Sequence, residues 1–273
     1  MKKTRMSTRT LVVLAASAIA ASIFAATPAD AAEMTAKQTA KASDDARRSK
    51  TEHQIMTMTL TNKRGQFRVR TIEGWSKELS DVEEHRFSRF LKPSDVRNTT
   101  LLSYDYNDER DDDTWLYLPA LKKIKRILSS NKKDYFMGSD FTYEDMENID
   151  IVNWSYSFAE PETFAGEPCW VVEAVPANEK EAGETSYSKT VSWIAKSDML
   201  SRKGEYWDKK GRLAKRLLVE DIHPTSDSDP RPRGHRMIMS NLITGHSTVL
   251  EMNTLELDVE VKPSLFSQRS LRQ

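Results

Sequence analysis

A single cysteine, Cys169, stands among 273 residues. One thiol cannot close an internal disulfide, so burial and hydrogen bonding alone must hold the fold. Its setting, Pro168-Cys169-Trp170-Val171-Val172, reads as a strand, where a small buried hydrophobe fits better than a nucleophile. Metal ligands are scarce as well. The histidines His53, His85, His223, His235 and His246 never pair at i, i+2 or i, i+4, the spacings that place two imidazoles on one ion. The acidic run Asp108, Glu109, Asp111, Asp112, Asp113 lacks the glycine and closing glutamate of an EF-hand and reads as a solvated loop. Phosphate-cradling glycine loops and the G-x-S-x-G elbow are missing. Lys plus Arg equal Asp plus Glu at 41 each, so no bulk charge draws the chain to nucleic acid. No metal or other cofactor is implied, and catalysis has no anchor.

What is present begins at the N-terminus. Lys2, Lys3, Arg5 and Arg9 precede the apolar run Leu11 to Ala26, and Ala29-Asp30-Ala31 offers small residues for cleavage before Ala32. This is the pattern of a cleaved secretory signal peptide over residues 1–31. The run is shorter than the roughly 20 residues of a membrane span. Residues 32–273 are then expected to form one exported domain, monomeric and slightly acidic.

Residues 32–50 have helical composition. From His53 the period changes to two. Met56, Met58 and Leu60 alternate with Thr57, Thr59 and Thr61, which marks a strand with one apolar face. Asn62-Lys63-Arg64-Gly65 turns the chain into Phe67 to Leu79. Strands are expected at Glu83–Leu91, Asn98–Tyr106 and Thr114–Leu118, then, after a basic stretch, at Ile151–Ala159, Glu167–Val175, Tyr187–Ala195, Leu200–Trp207, Arg212–Ile222, His235–Leu242 and His246–Leu257. Pro224 to Gly234 reads as a polar loop. Asp140 to Asn148 reads as a short helix capped by Ser139 or Asp140. In the tail, residues 263–273, Leu265 and Phe266 should dock. The count is roughly eleven to thirteen antiparallel strands, a width at which a twisted sheet curls, splits or closes.

Asp113 to Met146 is the densest patch of aromatics, Met and Lys. Lys122, Lys123, Lys125 and Arg126, with Lys132 and Lys133, form a patch for a partner or an anionic head group. The bland alternative is the solvated face of an amphipathic strand pair carrying Leu121, Ile124 and Ile127. Gly138-Ser139-Asp140 has the letters of a serine nucleophile, but a helix cap explains it better.

The run Trp115-Leu116-Tyr117-Leu118-Pro119-Ala120-Leu121-Lys122-Lys123-Ile124-Lys125-Arg126-Ile127 resembles the hallmark of the outer membrane lipoprotein-sorting proteins, relatives of the carrier LolA and its receptor LolB. So do Phe136-Met137-Gly138-Ser139-Asp140-Phe141 and Tyr143-Glu144-Asp145, and the tail Ser264 to Arg269 is similar to that family's ending. The resemblance implies a mainly β fold, a wide antiparallel sheet curled into a half-open barrel, with short helices covering the concave face. It also implies a periplasmic carrier that shields lipid or lipoprotein acyl chains on the way to the outer membrane, without enzymatic activity. An association with an inner-membrane transporter of the resistance-nodulation-division (RND) type is the alternative. An envelope hydrolase using Ser139 is a third reading. An acyl chain asks only for a flexible apolar concavity. The expected lining is Met56, Met58, Leu60, Trp75, Trp115, Tyr117, Phe136, Met137, Phe141 and Met146.

Overall fold

The computed structural model describes residues 34–108, 110–147 and 151–273. The expected signal peptide, Glu109 of the acidic loop and Asn148 at the end of the expected helix lie outside the described residues.

Fourteen strands form one antiparallel sheet. In chain order they are β1 (Thr51–Thr61), β2 (Phe67–Ser80), β3 (Glu83–Lys92), β4 (Thr100–Tyr106), β5 (Asp113–Leu118), β6 (Lys123–Ile127), β7 (Trp154–Phe158), β8 (Glu162–Phe164), β9 (Glu167–Pro176), β10 (Tyr187–Ala195), β11 (Ser201–Asp208), β12 (Leu213–Ser226), β13 (Asp229–Asn241) and β14 (His246–Leu257). Their spatial order is β6-β5-β4-β3-β2-β1-β14-β13-β12-β11-β10-β9-β7, with β8 also paired to β9. Among the described residues two neighbouring pairs in the main run are non-sequential: β1 and β14, which join two meanders, and β9 and β7, where β8 is skipped. The end strands β6 and β7 do not pair, so the sheet stays open.

The sheet must also curl. Adjacent residues Asp145 and Met146 reach Lys215 on β12 and Arg86 on β3. Five inter-strand steps separate those strands, about 24 Å if the sheet were flat. Two neighbouring residues span no such distance.

Cross-strand register sorts the side chains onto two faces. Met58 lies opposite Arg70 and Leu250, and Met56 opposite Ile72 and Met252. These belong to the inner face. Trp75 lies opposite His53 and Phe87, Phe87 opposite Leu102, and Leu102 opposite Trp115. These belong to the outer face, where Phe266 and Leu271 of the C-terminal tail pack over them. The tail is fastened by the Thr100 hydroxyl donating to the Leu271 carbonyl and the Tyr104 hydroxyl donating to the Phe266 carbonyl, both at 2.8 Å.

Helix α1 (Ala36–Asp45) is shorter than the helical composition of 32–50 suggests. It starts at a capping box in which Thr35 and Gln38 satisfy each other's backbone donors. Ala36 and Ala40 pack with Val172 and Ile194, on the inner face at the β9–β10 end.

Three local expectations are corrected. Pro224 to Gly234 is not a loop, because β12 and β13 continue as a hairpin through the Ser226–Asp229 pair. Turn-forming residues here sit within strands whose partner is the adjacent arm. Asp140 to Asn148 is not a helix of several turns. Its one helical piece among the described residues is a single 3-10 turn at Glu144–Met146. A short helix, α2 (Glu179–Glu184), capped by Asn178, was not read from the sequence.

Candidate functional site

The inner face between β4 and β12 is not empty. Residues 135–147 lie on it. Tyr135 and Thr142 form an isolated antiparallel bridge, and the Phe136 amide donates to the Phe141 carbonyl at 2.8 Å. This closes a tight hairpin whose tip, Met137-Gly138, has φ of 49° and 74°. Gly138 tolerates that left-handed backbone without strain. The tip drives two rings inward. Phe136 is 1% exposed and Phe141 4%, and both pack with Met56, Met58, Ile72, Phe90, Met239 and Leu250. Phe136 meets Phe90 at 5.9 Å and Tyr143 edge-on at 5.6 Å between ring centroids, geometries that add to burial.

Scaffold side chains hold this hairpin by its polar atoms. The Arg70 guanidinium donates to the Met137 carbonyl at 2.6 Å, and that of Arg86 to the Met146 carbonyl at 2.6 Å. The Thr248 hydroxyl donates to the Asp140 carboxylate at 2.8 Å and accepts from the Asp140 amide at 2.9 Å. Lys215 on β12 donates to Asp145 at 2.9 Å, and the Tyr187 hydroxyl on β10 donates to the other oxygen at 2.7 Å. The Ser186 amide donates to one Glu144 oxygen at 2.9 Å, and the Thr185 hydroxyl donates to the other. Lys132 bridges Asp112 and Glu147 at 2.8 Å each. Arg70 is 9% exposed and makes no ion pair among the described residues. A guanidinium so buried is costly unless its donors are satisfied.

The ten residues expected to line one cavity divide. Met56, Met58, Leu60, Phe136, Met137, Phe141 and Met146 share the inner-face cluster. Trp75, Trp115 and Tyr117 pack on the outer face under the C-terminal tail. A period of two puts alternate residues on opposite faces without saying which face turns inward. Ser139 is buried, and its hydroxyl is within 3.2 Å of the Phe141 carbonyl and amide. It shapes the hairpin instead of capping a helix. The basic residues lie at the β6 edge. Lys122, Lys123 and Lys125 are exposed there, and Arg126 pairs with Asp113. A cleft of about 500 Å³ opens elsewhere, lined by Phe164, Arg202, Leu218, Val219 and Ile222 among others. None of the ten lines it.

Arg70, Lys215, Tyr187 and Thr248 were not singled out from the sequence. One signal existed. Lys215 falls in phase with Leu213 and Leu217, so it puts a charge on the apolar phase of its strand.

Beside the hairpin's far end the polar groups titrate abnormally. Burial pushes the Asp105 carboxyl up to about 7, against the pull of Arg86. Among the described residues its oxygens have no hydrogen-bond partner, though Arg86 lies at 3.3 Å. Burial likewise pushes Glu147 up to about 8, against Lys132. The folded chain therefore keeps protons that the unfolded chain has lost. The corresponding stability is fully present below about pH 4 and is lost as pH rises through about 7 to 8. Tm should accordingly fall between about pH 5 and pH 9, and Asp105→Asn should flatten the slope. A profile that rises with pH, or one that Asp105→Asn leaves unchanged, contradicts this assignment.

A family model described as "Uncharacterized protein" matches residues 82–273. No curated protein matches. Solved structures do. A domain from Vibrio parahaemolyticus, described as an outer membrane lipoprotein-sorting protein domain, is 30% identical with a TM-score of 0.79, covering 87% of this chain and 98% of its own. A DUF1329 family protein from Desulfovibrio piger is 29% identical with a TM-score of 0.80, covering 86% and 97%. A LolA superfamily protein from Nitrosomonas europaea shares the fold at 18% identity and a TM-score of 0.66, covering 87% and 100%.

Proposed function

The chain belongs to the LolA-like outer membrane lipoprotein-sorting family, and from that premise we propose that it is a periplasmic carrier of acyl chains. Its cargo would be lipid or lipoprotein, shielded on the inner face during passage to the outer membrane. One observation carries the reading: an aromatic hairpin, residues 135–147, lies on the apolar inner face and is tied there by polar side chains of the scaffold. The sheet supplies the binding surface, and the hairpin is a removable occupant of it. An acyl chain takes the place of Phe136 and Phe141 against Met56, Met58, Ile72 and Leu250.

The magnitudes are compatible. Each buried CH₂ contributes about 0.8 kcal/mol, and each displaced aromatic ring gives up about 1.5–3 kcal/mol of burial. A long acyl chain thus exceeds the apolar burial it displaces, leaving a surplus against the polar ties. Methionines at Met56, Met58, Met239 and Met252 adapt to such an exchange.

Native mass spectrometry of the protein purified from the cell envelope should show bound lipid, and the delipidated protein should take up a fluorescent fatty acid. Absence of both would overturn the carrier reading.

A further inference from the structure

The hairpin is itself an anionic amphiphile. Residues 135–147 carry Asp140, Glu144, Asp145 and Glu147 and no Lys or Arg. The sheet answers with cations. Arg70 and Arg86 come from β2 and β3, and Lys215 from β12.

Lys215 is the most enclosed of them. Its side chain is 5% exposed and that of Asp145 is 4%. The ammonium donates to Asp145 and, at 2.9 Å, to the Tyr187 hydroxyl. The Tyr135 ring lies 4.9 Å from it. Asp145 and Tyr135 both belong to the hairpin, whereas Lys215 and Tyr187 belong to the sheet. Withdrawing the hairpin therefore removes the carboxylate and one ring together. Among the described residues the ammonium keeps only the neutral Tyr187 hydroxyl oxygen as an acceptor, with no counter-charge, and the Tyr187 O–H is left without an acceptor. Arg70 loses the Met137 carbonyl in the same movement, and it has no ion pair among the described residues to fall back on.

A buried cation stripped of its partner is strongly destabilising. A ligand that displaces the hairpin without supplying a negative charge would incur that penalty. A ligand carrying an anionic group at one end would not.

We propose that the cargo site selects amphiphiles with an anionic end, carboxylate or phosphate, and that Lys215 and Tyr187 receive that end in place of Asp145. This rests on the carrier reading above and adds the head-group chemistry to it. The acceptor geometry is already drawn by Asp145, whose two oxygens take the Lys215 and Tyr187 donors separately. A carboxylate or a phosphate can repeat that arrangement.

Calorimetric titration with chain-matched probes below their micelle concentrations tests this. The probes are dodecanoate, dodecyl phosphate, dodecanamide and dodecyltrimethylammonium. One or both anions should bind about tenfold to a hundredfold more tightly than the amide, and the cation should bind weakest. Which anion leads separates a carboxylate from a phosphate source. Lys215→Met should abolish the preference for anions while the amide still binds. Should Lys215→Met fail to fold, Tyr187→Phe, which removes the second donor and keeps the ring, should narrow the preference for the anions over the amide, whereas Asp145→Asn, which weakens the internal competitor, should strengthen both alike. Amide binding equal to or tighter than both anions overturns the head-group assignment and leaves the carrier reading standing. No binding by any probe overturns both.

Discussion

Phe136→Ala is expected to strengthen acyl-chain uptake by about a hundredfold or more, the opposite of what removing a binding residue would do. Phe136 is 1% exposed and sits among Met56, Met58 and Phe90 at the centre of the inner-face cluster. Truncating such a ring costs about 3–5 kcal/mol. Here the cost falls on the seated form of the hairpin, because the detached form already leaves the ring free. The equilibrium shifts toward the open face by the same amount. Apparent affinity rises with the open fraction, at about tenfold per 1.4 kcal/mol, until the open form predominates. Titrating a fluorescent fatty acid into both proteins measures the change. Unchanged or weaker affinity in Phe136→Ala would make Phe136 an ordinary core residue.

The second large effect lies on the other face. The double substitution Phe266→Ala with Leu271→Ala should come close to unfolding the protein. Leu271 is fully buried and Phe266 nearly so, and together they cover Phe87, Leu102, Trp75 and Trp115. The separate costs are about 3–5 and 2–5 kcal/mol. They act within one cluster, so they need not add, yet even a partial sum approaches the whole stability of a typical domain, about 5–15 kcal/mol. Calorimetry should show Tm lower by at least about 10 °C or no cooperative transition. A shift of only a few degrees would mean that the tail merely decorates a sheet stable without it. Acyl-chain binding by any folded remainder should persist, since the tail and the cargo use opposite faces.

These two variants mark where the sequence was legible. The alternation Met56, Met58, Leu60 identified β1 and its apolar phase, and Tyr187 to Ala195 coincides with β10. Strands declare themselves through local periodicity. Assignment of a face does not, because it depends on the curl of the whole sheet. Trp75 and Trp115 therefore fell on the same presumed lining as Met58, though register places them on the opposite side. On β2, Phe67 and Val69 look like the apolar phase, yet both are exposed, while the alternate Arg70 is buried. A buried arginine there makes sense only with the Met137 carbonyl above it, 67 residues away in the chain. The hairpin was legible as an aromatic patch but not as a hairpin. Its closure depends on Met137 and Gly138 at positive φ and on Thr248 and Lys215 from distant strands.

In a carrier of this design the hairpin at 135–147 occupies the place of the cargo until a ligand displaces it. Amide hydrogen exchange of the delipidated protein, with and without saturating fatty acid, tests it most directly. Ligand should remove protection from residues 135–147, including the Phe136 amide hydrogen-bonded to the Phe141 carbonyl, while β1, β2 and β14 keep or gain protection. Equal or greater protection of the hairpin with ligand bound would contradict it.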